Sequence, residues 1–544
     1  MGQFVSSHLI NSNMQSQEKI ESPEHSEKSI IPSISSDVIA GFVVFLLAMP
    51  LSLGIAKASD FPPMMGLLTA IIGGLFVSFL AGSQLSIKGP AAGLIVIVIG
   101  AVNDFGGGEN GWHLALGAIF VAGAVQVLFG FLKLGRLVDF FPLSSIHGML
   151  AAIGLIIIIK QFPVLLNVDP ALVKGKSILG LIASMPEQVR NLDPRASLVG
   201  VISLWIMLSW NNHSLKILRK IPAPLMVLLF AVPAEIILDF ETKTNGNSLL
   251  QIGSLFDGLG WQVDFSGIFQ PLTFIRYVLM FALVGSIESL LTVKATDLMD
   301  PLRRKSRTSL DLIAIGFGNM LSSAFGGLPM ISEVARSSAN VSSGGLTVKS
   351  NFFHGLFLLL FVVLALPLIQ LIPNTALAAM LISVGLKLAH PREFVHIFKI
   401  GLDQLVIFII TILVTLFQDL LLGIAAGILL KIIFHLINGA PFKSLFSVAA
   451  SVSFNDNDYR IEVEEVAAFT NFLGIKSRLE AVPAGMNLTI DFSGTVFVDH
   501  SVLDNIDGFC RDYEKKGGTV QVVGLENHKP ISSHPLASRV RIKS

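Results

Sequence analysis

The stretch GGLPMISEVARSSANVSSGG, residues 326–345, lies between two long apolar runs. It contains an acid, Glu333, a base, Arg336, and five serines, although the flanking sequence is almost free of charge. Glycines permit a tight turn, and a proline near the first helical position is typical of a helix start. The stretch therefore predicts a short half-helix that begins inside an otherwise apolar layer.

A second stretch, SIKGPAAGLIVIVIGAV at residues 86–102, has the same character. Both are too short or too broken for ordinary membrane spans, which need roughly 17–25 residues. Transporters often place their binding site between two such discontinuous helices in corresponding positions of two repeats. Facing helix N-termini would then form an anion site without needing a fixed cation. The alternative is that both motifs are simple kinks, since glycine and proline are common in membrane helices.

The composition of the whole chain is that of a membrane protein. It has 544 residues, of which 52% are hydrophobic and 14% charged, against roughly 25% charged in soluble domains. The mean hydropathy is +0.72. A net charge of +0 gives no electrostatic support for a nucleic-acid partner.

Twelve apolar runs and the two broken stretches predict fourteen crossings of the bilayer. Lys and Arg recur in alternate short loops, for example Lys88 after the second crossing and residues 303–307 after the eighth, which predicts a cytoplasmic N-terminus. The predicted unbroken spans are 38–57, 62–80, 113–131, 141–163, 197–211, 222–240, 272–293, 308–324, 351–370, 374–390, 401–417 and 419–438.

The two ends of the chain are more polar than the middle. Residues 1–36 lack the apolar core of a signal peptide and are predicted to be a disordered cytoplasmic segment. Residues 451–526 combine strand-like alternation with an amphipathic helix, which predicts a small cytoplasmic α/β domain, followed by a tail at 527–544. Ser501 is predicted to cap that helix, and the lone Cys510 to be an inert thiol.

Glu288 is an acid inside a predicted span, GSIESLLTVK. A carboxylate in hydrocarbon costs roughly 2.5–3.5 kcal/mol on insertion scales, so it should face the protein interior. Thr292 lies one helical turn further along the same face. The two side chains could bind Na⁺, or the acid could carry a proton; the alternative is a structural acid held by hydrogen bonds. The histidines are scattered singly, so no metal cluster and no membrane enzyme are expected.

Four stretches resemble the SulP family of anion transporters: AMPLSLGIAKASDFPPMMGLLTAIIGG, GSQLSIKGPAAGL, GSIESLL and DFSGTVFVDHSVLDNI. The last is similar to a STAS domain, here a short one. The resemblance implies an α-helical polytopic membrane protein with a transporter domain at 37–440. Its two inverted seven-helix repeats, at about 37–240 and 272–438, would form a core domain and a gate domain. It also implies elevator-like movement and a homodimer.

The resemblance also implies which residues form the site. One side of the anion site would be lined by the first half-helix and the other side by the second, with a cation or proton site on the eighth crossing. Arg336 would be the charge partner of Glu333, and Pro50 would break the first helix. The implied substrate-binding residues are Gly89, Pro90, Ala91, Ala92, Ile331, Ser332 and Glu333, and the implied coupling residues are Glu288 and Thr292.

The expected function is secondary active transport of a small inorganic oxyanion across the inner membrane, coupled to Na⁺ or H⁺. Bicarbonate is slightly favoured over sulfate because Glu333 places negative charge beside the site. The alternatives are a sulfate:proton symporter, a dicarboxylate or chloride carrier, or a sensor or scaffold that signals through the STAS-like domain. No cofactor is expected apart from a possible Na⁺, and both termini are expected in the cytoplasm.

Overall fold

The computed structural model describes residues 34–135, 142–174, 176–210, 221–238, 260–302, 304–418, 420–455 and 457–542. Most of the predicted N-terminal segment 1–36 lies outside these residues, and residues 34–36 begin the first helix. The chain divides into two compact units. The larger contains Pro32–Val138 and Leu150–His390, and the smaller contains Asp139–Met149 and Pro391–Ser544.

Among the described residues, the helices and short strands of the apolar region follow one another in two sets of nine helices, each with a strand before its third helix. The first set is α1 (Ile34–Ala58), α2 (Pro63–Leu80), β1 (Lys88–Pro90) with α3 (Ile95–Asp104), α4 (Gly108–Phe131), α5 (Leu143–Leu165), then the short α6 (Ile178–Ala183) and α7 (Met185–Arg190), α8 (Pro194–Ser209) and α9 (Ala223–Leu238). The second set is α10 (Pro271–Met299), α11 (Thr308–Ala324), β2 (Met330–Ser332) with α12 (Val334–Ser342), α13 (Lys349–Leu364), the short α14 (Leu366–Gln370), α15 (Asn374–Leu388), the amphipathic α16 (Pro391–Ile400), α17 (Leu402–Phe417) and α18 (Leu420–Ile437).

These elements confirm the predicted polytopic α-helical fold. Within the described ranges, six helices are long and apolar enough to cross a membrane, and five shorter apolar helices accompany them. The two stretches that were too broken to be ordinary spans are the two strand-and-helix elements, β1–α3 and β2–α12.

Helix α1 runs without interruption through Pro50, so the predicted helix break is wrong. A proline removes one intrahelical hydrogen bond, and neighbouring helices in a membrane protein can offset that loss by close packing. Residues on both sides of Pro50 are buried. A Cβ at Gly66 of α2 would lie 2.0 Å from the carbonyl oxygen of Ser52, so the two helices touch backbone to backbone just after the proline.

Strands β1 and β2 form a two-stranded antiparallel ribbon within the larger unit. Lys88 pairs with Ser332, Gly89 with Ile331, and Pro90 with Met330. If two repeats have opposite orientations across a membrane, their corresponding segments run antiparallel where they meet. The ribbon therefore joins the third elements of both sets.

The smaller unit contains a six-stranded sheet. Its path is β3-β4-β5-β8-β7, and β6 also pairs with β5. Helix α20 packs on this sheet through Val502, Leu503 and Ile506, which share a hydrophobic core with Ile490 and Phe492 of β5. The elements are β3 (Ala450–Asn455), β4 (Asp458–Ala467), α19 (Phe472–Glu480), β5 (Asn487–Val498), α20 (His500–Glu514), β6 (Thr519–Val523), β7 (His528–Pro530) and β8 (Arg539–Arg541).

The segment 527–544 is not a tail, which corrects the sequence-based boundary. Its strand β8 pairs with β5, with Phe497 opposite Val540, and β7 pairs with β8. Ala537 is completely buried beside this turn of chain. The segment is too short and too rich in Ser, Pro and His for its alternation to be visible in the sequence.

Ser501 is not the cap of helix α20, because Asp499 holds the N-cap position. The Asp499 carboxylate does not cap the helix either; its Oδ1 lies 2.8 Å from the Lys431 ammonium of α18. Burial alone would raise the pKa of Asp499, but attraction from Lys431 and His435 holds it well below its usual range. Burial raises the pKa of the Cys510 thiol to about 12, as expected of an inert thiol.

Candidate anion-binding site

The β1–β2 ribbon brings the two predicted halves of the site together. Gly89 and Ile331 lie opposite each other, and the ribbon continues through hydrogen bonds from Ala91 N–H to the Pro329 carbonyl and from Glu333 N–H to the Ile87 carbonyl, at 3.2 and 3.0 Å. All seven residues predicted to bind the substrate are buried there.

The free N–H groups lie further along the second half-helix than predicted. Ser332 donates its N–H to Ser289 Oγ at 3.0 Å, and the N–H of Glu333 is used in the ribbon. Neither of these two N–H groups can therefore face an anion in this arrangement, although both residues were predicted to line the anion site. In the first turn of α12, the N–H groups of Val334, Ala335 and Arg336 have no partner among the described residues.

Arg336 places a guanidinium at the centre of the site. Its side chain is completely buried, Nε lies 3.1 Å from Glu333 Oε2, and Nη2 donates to Ser52 Oγ at 3.2 Å. A Cβ at Gly89 would lie 2.0 Å from Nη1, so the guanidinium covers the position where any other residue would project a side chain. Nη1 makes no hydrogen bond to any described residue. The predicted charge partnership is thus a direct ion pair, with donor capacity left over.

The Glu288 carboxylate lies against Gly93, four residues after Gly89 in the chain. A Cβ at Gly93 would lie 1.7 Å from Glu288 Oε1, so this carboxylate touches the backbone at Gly93. Its other oxygen, Oε2, has no hydrogen-bond partner within the part of the chain that the structure describes. Thr292 is buried one turn away on α10. A bare carboxylate oxygen and a hydroxyl are hard oxygen ligands of the kind that suit Na⁺, so the two residues fit a cation site.

A second buried ion pair, which the sequence did not reveal, holds the other end of the ribbon. Lys88 was predicted to lie in a cytoplasmic loop, yet it is completely buried and donates to Asp311 Oδ1 at 2.9 Å. Asp311 also accepts from Ser83 N–H and from the Ser332 hydroxyl, both at 3.2 Å. The Lys88 ammonium donates to Ser86 as well. The only signal for this pair was one acid in the apolar run SLDLIAIGF.

An amide pair fixes the start of the second strand. Asn319 of α11 donates to Gln126 Oε1 of α4 at 2.7 Å and accepts the Met330 N–H at 2.6 Å. Such an amide network orients β2 without adding charge to the site. Single amides inside apolar helices were visible in the sequence, but nothing in the sequence showed that they meet.

Comparison with known proteins decides the family. The model of the sulfate permease family matches residues 34–411, which is more than half of the chain. The chain belongs to this family. As a member of the sulfate permease family, it is a multi-pass membrane protein and an anion transporter. The match ends within α17, so it covers both half-helices and Glu288.

Individual relatives and a solved structure agree with this membership. YvdB of Bacillus subtilis (strain 168), to which sulfate transport has been ascribed, is 29% identical over 75% of this chain and 74% of its own length. The bicarbonate transporter BicA of Picosynechococcus is 27% identical over 73% of this chain and 69% of its own. The structure of SLC26A9 superposes with a TM-score of 0.64 at 17% identity, covering 92% of this chain and 86% of that chain, which supports the fold of the α/β part as well.

Proposed function

We propose that the protein is a secondary active transporter of a small inorganic oxyanion, with bicarbonate preferred over sulfate, coupled to a cation. The observation that carries the proposal is the buried Arg336 guanidinium between the two half-helices, with a donor to spare and the Glu333 carboxylate beside it. A second carboxylate, Glu288, interacts electrostatically with Glu333. An arginine in a dry cleft is well suited to recognise an oxyanion. No metal or organic cofactor is needed for such binding.

The charge of the site supports cation coupling. Arg336, Glu333 and Glu288 together carry a formal charge of −1 when all three are ionised. Adding bicarbonate makes the buried cluster more negative, and adding sulfate makes it more negative still. A cation that enters with the anion offsets this cost, because buried charge without compensation is expensive. Glu288 and Thr292 are the residues that would hold Na⁺, or Glu288 would carry the proton.

The preference for bicarbonate follows from the same charge count. A monovalent anion with one Na⁺ leaves the cluster at its starting charge, whereas sulfate needs two monovalent cations to do so. Sulfate:proton symport is the second candidate, and the likeness to YvdB favours sulfate as the substrate. The likeness to BicA favours bicarbonate.

The remaining features of the proposal concern movement and placement. We infer that the ribbon moves as a unit with the bound anion in an elevator-like step, since buried hydrogen bonds hold its two strands together. We further propose a homodimer in the inner membrane with both termini in the cytoplasm. The alternation of basic loops supports that orientation.

Uptake of labelled bicarbonate and sulfate into proteoliposomes, with and without an inward Na⁺ or proton gradient, tests the proposal. We expect bicarbonate uptake that a cation gradient stimulates, and slower sulfate uptake. Chloride and a dicarboxylate serve as the comparison anions. If no anion is taken up under any gradient, the transporter proposal is wrong and a sensor that signals through the α/β domain becomes the better interpretation.

A further inference from the structure

The anion-binding groups of the site are partly occupied by the protein itself. Glu333 Oε2 lies 3.1 Å from Arg336 Nε, and the guanidinium is completely buried. A buried guanidinium needs an anionic partner, because an uncompensated charge in a dry interior is strongly unfavourable. Among the described residues, Glu333 is the acid that forms an ion pair with Arg336.

The position of Glu333 in the helix makes the pairing informative. Glu333 is the N-cap residue of α12, with extended backbone angles, and its side chain does not cap the helix. The carboxylate is therefore turned away from the free N–H groups of its own helix and toward the guanidinium. An oxyanion that binds to Arg336 and to those N–H groups must compete with this carboxylate for the same cation.

We propose that Glu333 is a tethered substitute for the transported anion. Its carboxylate holds the Arg336 guanidinium while the site is empty, and it releases the guanidinium to an incoming oxyanion when a monovalent cation neutralises Glu333. The inference rests on the proposed function and names the residue that links anion and cation binding. The ion pair re-forms when anion and cation leave, so an empty carrier keeps its buried charge compensated.

Several charged groups face this pair from the elements packed around it. Glu288 of α10 interacts with Glu333 electrostatically, and His354 of α13 interacts with Arg336. Lys88 and Asp311 compensate each other on the far side of Ser332. The remaining charged groups on the packed helices α1 and α10 are Asp37, Lys57, Arg276, Lys294 and Asp297.

Glu333→Gln tests the proposal, because the amide keeps the shape of the side chain and removes its charge. We expect the dissociation constant for bicarbonate or sulfate to fall by about tenfold or more and to lose its dependence on pH and Na⁺. Uptake driven by a cation gradient should be lost. Glu333→Asp, which keeps the charge, should retain the cation dependence.

Glu333→Ala provides an independent test, because it vacates the space that the carboxylate fills. Formate should then bind to the variant at least about tenfold more tightly than to the wild type, since a free carboxylate can replace the tethered one. If formate binds both proteins equally, or if Glu333→Gln keeps gradient-driven uptake, Glu333 is only a structural partner of Arg336.

A measurement on the unmodified protein covers the case in which the variants do not fold. Calorimetric titration with bicarbonate or sulfate, repeated in buffers of different ionisation enthalpy and at several Na⁺ concentrations, should show uptake of about one H⁺ or a matching Na⁺ dependence. The buffer series measures proton uptake and the Na⁺ series measures the Na⁺ dependence, so the two series distinguish the coupling ions. Anion binding that is independent of both overturns the inference while leaving anion transport intact, whereas wild-type protein that binds and transports no anion overturns the proposed function.

Discussion

Two buried ion pairs lie at the same two-stranded ribbon, and they differ in how completely they are satisfied. Besides contacting each other, Asp311 accepts hydrogen bonds from Ser83 and Ser332, and Lys88 donates one to Ser86. Arg336 and Glu333 leave Nη1 without a hydrogen bond to any described residue. We call Lys88 with Asp311 the saturated pair, because both charged groups have further hydrogen-bond partners that hold the ribbon in place. We call Arg336 with Glu333 the open pair, because a donor without a partner can also bind a ligand. Burial alone does not distinguish these roles, since both cations are completely buried.

Breaking the saturated pair should have the largest effect. We expect Lys88→Met to lower the free energy of unfolding by about 3–5 kcal/mol, because Asp311 then keeps a buried charge without its cation. Thermal unfolding of the detergent-solubilised protein measures this. The double variant Lys88→Met with Asp311→Leu should recover most of the loss. A single variant as stable as the wild type would contradict a structural role for the pair.

Crowding the pair of Arg336 and Glu333 should slow transport strongly at a smaller cost in stability. In Gly89→Ala, the new methyl group would lie 2.0 Å from Arg336 Nη1, so the guanidinium must move away from the ribbon. We expect the initial rate of anion uptake to fall by about tenfold or more, since displacements near 1 Å can cost that much. Gly260→Ala, before α10, is the control for the loss of a glycine, because open space surrounds that residue and its backbone is not in the left-handed region. Equal uptake by wild type and Gly89→Ala would remove Arg336 from the site.

Glu288 tests whether the open pair works with a second carboxylate. Glu288→Gln should abolish stimulation by a cation gradient and leave the protein folded, because the oxygen that it changes has no hydrogen-bond partner among the described residues. Uptake at zero gradient should change by only a few fold. Thr292→Val should weaken Na⁺ stimulation without affecting stimulation by protons. Normal stimulation by both ions in Glu288→Gln would exclude Glu288 from coupling.

A third buried ion pair joins Lys431 to Asp499 in the smaller unit. We expect the smallest effect here, namely a pH dependence of stability that arises from the adjacent residue His500. Burial, followed by the nearby Lys431 charge, lowers the pKa of His500. The unfolded chain then binds more protons than the folded chain below about pH 6.5, so stability is lost as the pH falls through that value.

Hydrogen exchange of residues 500–514 in the full chain measures this pH effect. We expect protection, corrected for intrinsic rates, to decrease by up to about 1.4 kcal/mol between pH 6.5 and 5.5. The His500 Nδ1–H donates to the Leu536 carbonyl oxygen, 2.7 Å away, because a carbonyl oxygen can only accept a hydrogen bond. His500→Asn keeps an N–H at that position and should lose the pH dependence. A pH dependence that persists in His500→Asn would assign it to another group.

The sequence predicted the membrane helices well, because apolar runs are a local property of the chain. The two broken elements were also visible, since Pro90 directly follows Gly89 and Pro329 lies two residues after Gly327, both in otherwise apolar surroundings. Glu288, Glu333 and Arg336 attracted attention for the same reason. These residues form a candidate site only through contacts between segments that are far apart in sequence. The contacts are Arg336 with Gly89 and Glu288 with Gly93.

The sequence-based predictions that were wrong share one physical origin. Lys88 looked like a loop cation because its carboxylate, Asp311, lies on another helix. The short strands β7 and β8 looked like a tail because only pairing with β5 makes them strands. Pro50 looked like a break because the compensating contact, at Gly66, is formed by a different helix. In each case a tertiary contact overrides the local signal.

The ribbon also sets the order in which the protein can mature. Its two strands pair across about 240 residues of chain. At a synthesis rate of roughly 5–20 residues per second, the first strand waits about 10–50 s for its partner. During that interval Lys88 has no carboxylate, so we expect the insertion machinery to keep the first half in contact with water until Asp311 emerges. The ribbon therefore cannot close before residue 332 of the 544 has been made, when the helices of the first set have already been synthesised.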